Sequence, residues 1–194
     1  MTNKANATRN GLQLEQMGET IGAIKQNPGI AQFEFRASNQ WINGGENRST
    51  IQGFFGACAE DESRTVAFEY TNGEPPVLLG NNEGANPVEY LLHALAGCVT
   101  TTTVLHATAR GITIHKLSTE LKGNIDVQGL LAMDDSVPVG YESIEIKMHI
   151  EADCSEDDLN ELIAFAKDHS PVCSTVCKPV PVKLERVNVS RVAA

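Results

Sequence analysis

Residues 84–111 read GANPVEYLLHALAGCVTTTTVLHATARG, and the fold is organised around them. Pro87 near the start and Gly111 just past the end bracket an α-helix: proline is tolerated in a first turn, and glycine follows a last one. Val88, Leu91, Leu92, Leu95, Val99, Val104 and Leu105 cover most of its circumference, so it is expected to be buried on nearly all sides. Ala94, Ala96 and Gly97 leave room for a second helix to approach closely. The four threonines at 100–103 are β-branched and weak helix formers, so packing rather than propensity must hold that turn.

Upstream, Leu14, Met17, Ile21 and Ile24 recur at spacings of 3, 4 and 3, one stripe of an amphipathic helix that Asn27-Pro28-Gly29 stops. Gln32 to Ser38, with Phe33 and Phe35, and Ser49 to Phe55, with Ile51, Phe54 and Phe55, read as strands. Asn43-Gly44-Gly45 between them is a turn of the kind that joins antiparallel strands. Thr65 to Thr71 is a further strand, and Gly73 to Pro87, rich in Gly, Pro and Asn, is a loop. Downstream, Ile112 to Ile125 predicts a long strand, Gln128 to Gly140 a loop, and Tyr141 to Ile150 a strand alternating through Ile144, Ile146, Met148 and Ile150. Ser155-Glu156-Asp157-Asp158 resembles a capping box with Asp in the usual Glu or Gln position, and the helix behind it runs to about His169. Pro179 to Val189 predicts a last strand. Strands grouped together and joined by tight turns argue for an α+β fold with antiparallel sheets rather than a doubly wound one.

The chain has 194 residues, of which 25 acidic and 15 basic side chains leave a formal net charge of −10. That balance argues against broad nucleic-acid binding and against an anionic membrane surface, both of which need clustered Lys and Arg. No apolar run reaches the roughly 20 residues of a membrane span, and the first residues carry no hydrophobic core of a secretory signal. The expected location is the cytoplasm. Five cysteines, at 58, 98, 154, 173 and 177, are odd in number and scattered, unlike a secreted disulfide framework.

Of these, Cys98 lies mid-helix on the most apolar element, where a cysteine either packs or, given a cation or donor beside it, becomes a nucleophilic thiolate. His169, Cys173 and Cys177 recur every four residues, but Pro171 interrupts that helical register, and no metal site is expected. Cys58 and Cys154 read as structural, and His93, His106 and His115 as packed or solvated. The sequence has no Gly-rich phosphate loop, so no nucleotide cofactor is expected.

The segment from Gly84 through Asn86-Pro87-Val88-Glu89 to Gly97-Cys98 resembles the central helix of the OsmC/Ohr family, the osmotically inducible and organic hydroperoxide resistance proteins. Similar too are Pro75 to Gly80, Ala107 to Ile112, Ser170-Pro171-Val172 and Pro179-Val180-Pro181-Val182. The likeness runs from about Phe33 onward and is nearest to the larger branch with an extra N-terminal helix, which divides the chain into a helical extension at 1–29 and an OsmC-like domain at 30–194. It implies an intertwined homodimer with long helices packed at its centre, and thiol peroxidase chemistry on organic hydroperoxides. Cys98 matches the peroxidatic position. The thiolate-stabilising arginine falls nearest Arg48, with Arg36 as the alternative, and Glu89 would position that arginine. Glu89 lies nine residues before Cys98, hence about 13 Å along the helix and roughly 180° around it, so the two cannot touch within one regular helix. The resolving position of the classical members holds Ser170 here, which leaves Cys173 or Cys177 to resolve, Cys173 first, or an external dithiol to reduce the oxidised sulfur. The alternatives are a non-catalytic dimer binding a small ligand, and hydrolytic acyl transfer by Cys98 on the same fold.

Overall fold

The computed structural model describes residues 7–187. A two-stranded hairpin, β1 (Thr8–Arg9) with β2 (Leu12–Gln13), leads directly into α1 (Leu14–Gln26). Asn10 sits in the hairpin turn at φ 51, a left-handed conformation that asparagine tolerates. Its amide donates to Thr108 Oγ1 and to the Ile112 carbonyl, each at 3.0 Å, and its Oδ1 accepts the Ile114 N–H at 2.8 Å. One side chain therefore ties the N-terminal extension to the rest of the molecule.

The two predicted strands at 32–38 and 49–55 are each broken in the middle, so each of them runs from one small sheet into another. β3 (Glu34–Phe35), β6 (Phe54–Gly56) and β7 (Ala59–Asp61) form one antiparallel sheet in the order β3-β6-β7. β4 (Ser38–Asn43), β5 (Glu46–Ile51) and β8 (Phe68–Asn72) form the other in the order β4-β5-β8, with the expected turn at Gly44-Gly45 joining β4 to β5. Strand β8 starts three residues later than the sequence pattern suggested.

The central helix, α2, spans Pro87–Ala109 and is started by a full capping box, in which the Asn86 side chain accepts the Val88 N–H and Glu89 accepts the Asn86 N–H at 2.9 Å. Its first turn is fastened on two sides, by Tyr90 Oη donating to the Thr71 carbonyl at the end of β8 and Tyr141 Oη donating to the Val88 carbonyl. Gly111, at φ 82, supplies the left-handed residue past its end. β9 (Ile114–Asn124) and β10 (Ser143–Ala152) then form a long antiparallel hairpin against α2, and the connection between them holds a single helical turn, α3 (Val127–Leu130), where a plain loop was expected. α4 (Glu156–His169) begins where Ser155 accepts the Asp158 N–H, and Ser170 starts α5 (Pro171–Cys177).

The core has two parts along α2. Leu95 and Val99 pack with Cys173, Leu121, Ile144, Ile146 and Met148; further along, Ala107 packs with Ile112, Leu162, Leu159 and Cys154. The threonine run sits well in this setting. The Thr101 and Thr103 hydroxyls donate to the carbonyls of Gly97 and Val99, four residues back, and further along Thr108 donates likewise to Val104 while accepting the Asn10 amide.

Two expectations are corrected. The central helix buries one face rather than nearly all of its circumference: Leu91 and Leu105 are exposed, and Gly97 faces open space, because no second helix covers that side within one chain. The last predicted strand does not form over 179–187. Its prolines at 179 and 181 donate no N–H, and no strand among the described residues pairs with it; Leu184 is 96% exposed. Residues 188 and 189 of that predicted strand lie outside the described residues.

Candidate active site

Cys98 sits on the turn of α2 that faces the start of α5. It is half-buried, and its Sγ accepts the backbone N–H of Val172 at 3.4 Å. The donor is in place for a local reason. Ser170, fully buried, accepts the Cys173 N–H on its hydroxyl, and Pro171 takes the first helical position, where its missing N–H is not needed. The one amide this leaves free in the first turn of α5, that of Val172, is thereby aimed at the sulfur, and hydrogen bonding to the charged form of a group favours that form. The Ser170-Pro171 pair signalled this helix start in the sequence. Matched only to a resolving cysteine, Ser170 went unrecognised as a cap.

Cys173 follows immediately, buried against Leu95 and Val99, one turn before and one residue after Cys98 on α2. Its Sγ lies 4.0 Å from that of Cys177, which is exposed. Burial, with the Cys177 contact adding to it, pushes the Cys173 thiol up. Pro171 thus ends the register of His169 but begins a new helix, and Cys173 and Cys177 do share one face. Among the described residues, no group of three or more His, Cys, Asp or Glu side chains is arranged to hold a metal ion.

The other predicted site residues stand apart from the thiol. Arg48, on β5, is ion-paired with Glu46 at 3.0 Å, and its side chain is 60% exposed. Arg36 is held by Glu34 at 2.6 Å and by Glu60 at 2.9 Å. Among the described residues neither arginine shares a hydrogen bond or ion pair with Cys98. Glu89 closes the capping box on Asn86, which also donates to Glu74. Around them is a cavity of about 440 Å³ between the start of α2 and the β9–β10 connection, lined by Glu74, Glu89, Leu78, Val88, Val127 and Val139 among others. At the opposite end of α2, His106 packs edge-on to Phe165 and His169, and burial, then the charges of His169 and Arg110, hold it below the ordinary histidine value. Cys154 lies in the second part of the core, its thiol pushed up by burial and by Asp158, Glu156 and Asp153.

The chain is thus an α+β protein whose long central helix carries a half-buried thiol met by a backbone amide of a later helix. The chain belongs to the OsmC-like protein family, whose model matches residues 80–185. Solved structures agree on the fold. An OsmC-like protein from Mycoplasma pneumoniae superposes with a TM-score of 0.58 at 22% identity, over 74% of this chain and 87% of that one. An organic hydroperoxide resistance protein OsmC from Legionella pneumophila gives 0.53 at 14% identity, over 75% and 90%. An OsmC-like protein of unknown function from Vibrio cholerae gives 0.52 at 9% identity, over 73% and 92%. No curated protein sequence matches the chain. The OsmC-like fold is a soluble one. α2 is long and apolar enough to cross a membrane, and here it is the core helix of that fold.

Proposed function

We propose that this protein is a thiol-dependent peroxidase that reduces organic hydroperoxides through Cys98, acting as a cytoplasmic homodimer. The observation that carries the reading is the Val172 N–H on Cys98 Sγ at 3.4 Å, a fixed donor for a thiolate on the family's central helix. The thiolate attacks the peroxide, an S–O bond forms as the O–O bond breaks, and the alcohol leaves with a proton; Cys98 is left as a sulfenic acid. Cys173, next along α5 from the Val172 amide, is the proposed resolving thiol, and a dithiol supplies the two electrons that close the cycle. Arg48 is the proposed thiolate-stabilising arginine, since it carries one exposed ion pair whereas Arg36 is held by two carboxylates. In this reading Arg48 meets the thiol across the two-chain assembly, and Glu89 acts by shaping the start of α2.

The test is consumption of cumene hydroperoxide and hydrogen peroxide with a dithiol reductant. Wild type is expected to prefer the organic peroxide, and Cys98→Ser to lose at least 100-fold in rate. No turnover of either peroxide by wild type overturns the reading.

A further inference from the structure

Resting on the peroxidase reading, we propose that Cys177 is a third working thiol, which takes the disulfide out of the core and presents it to the external reductant as Cys173–Cys177. Three observations meet here. Cys173 is buried against Leu95 and Val99 of α2, one residue on from the amide that meets Cys98 Sγ, so the Cys173 end of a Cys98–Cys173 disulfide lies in the core, away from a protein reductant. Cys177 is exposed. The Cys173 and Cys177 sulfurs already lie 4.0 Å apart on one face of α5.

The steps balance. Cys98 sulfenic acid and the Cys173 thiol condense to a Cys98–Cys173 disulfide with loss of water. The Cys177 thiolate then attacks the Cys173 sulfur. The Cys98 sulfur leaves as a thiolate onto the waiting Val172 N–H, and the exchange consumes no electrons. An external dithiol finally reduces Cys173–Cys177 and is itself oxidised to a disulfide. Attack falls on the Cys173 sulfur because that is the atom beside Cys177, and a stabilised leaving thiolate speeds such exchange.

The helix end suits the task. Neighbours four apart on a helix hold their Cβ atoms about 5–6 Å apart, whereas a disulfide needs about 3.5–4.5 Å. Forming the bond therefore requires the last turn to give way. Cys177 is the final residue of α5, and beyond it only the Lys178 N–H bond to the Ser174 carbonyl closes the turn. A strained and exposed disulfide is also the kind a dithiol reduces readily.

The experiment adds one equivalent of cumene hydroperoxide, quenches with an alkylating agent and maps disulfides by mass spectrometry, with dimedone marking sulfenic acid. Wild type is expected to end as Cys173–Cys177. Cys177→Ser is expected to stop at Cys98–Cys173, and its steady-state rate with a protein dithiol to fall at least tenfold. Cys173→Ala is expected to stop at a dimedone adduct on Cys98. Cys98 sulfenic acid in that variant, together with a wild-type end state lacking Cys173–Cys177 and an undiminished Cys177→Ser rate, overturns the relay alone. No sulfenic acid on Cys98 in any variant overturns the peroxidase reading and the relay with it.

Discussion

His106 shows how one side chain reports on its packing. Burial against Phe165, then the nearby charges of His169 and Arg110, hold it below the ordinary value of 6.5. In the window between its folded value and 6.5 the unfolded chain binds a proton that the folded protein resists. Its contribution is therefore complete above that window and is lost as the pH falls through the folded value. The urea midpoint of wild type should drop more between about pH 7.5 and 5.5 than that of His106→Gln; equal drops would assign the whole dependence to carboxylates. At this scale the sequence was partly legible. Cys98 and its helix could be named from the block ending Gly97-Cys98, because a motif of that kind needs no tertiary knowledge. Val172 could not, because what it contributes is a backbone amide whose direction depends on where Ser170 starts α5.

At the scale of elements, periodicity located the long pieces and failed on short ones. α1, α2 and α4 fall where the apolar spacing put them, since each has a continuous face to bury. The breaks at 36–37 and 52–53 carry no pattern of their own, so β3 to β6 read as two strands rather than four. The β6–β7 turn escaped for a related reason. Its central residues, Ala57 and Cys58, both have positive φ, at 51 and 67, where Asn and Gly usually sit, and so they gave no turn signal. A non-glycine residue pays for the left-handed region with roughly 1–2 kcal/mol. Cys58→Gly should therefore raise the unfolding free energy by roughly 0.5–1 kcal/mol after the added flexibility of the unfolded chain is counted, measured by urea denaturation beside Cys58→Ser, which should leave it unchanged.

For the whole molecule, the open question in the sequence was what covers the apolar surfaces. Phe35 and Trp41 are each 69% exposed on the two small sheets, and Val182 and Leu184 lie bare on the extended tail. Large apolar side chains left bare on three parts of the chain suit surfaces that a second copy covers. Sedimentation equilibrium should give twice 20.9 kDa, and the unfolding midpoint should rise with protein concentration, as it does when folding and association are linked; a monomer with a concentration-independent midpoint would contradict the dimer. The threonines of α2 then bear on how such an assembly is specified. Thr101 is the exposed one of these threonines, and its hydroxyl donates within its own helix to the Gly97 carbonyl, whereas Thr103 and Thr108 are buried within the chain. A helix laid along the uncovered side of α2 would meet Thr101 chiefly through its methyl group, and its register would be set largely by what fills the notch at Gly97. Divergent copies of such a helix could exchange Thr101 for Val or Ala and still mate, whereas a larger residue at position 97 would shift every contact at once.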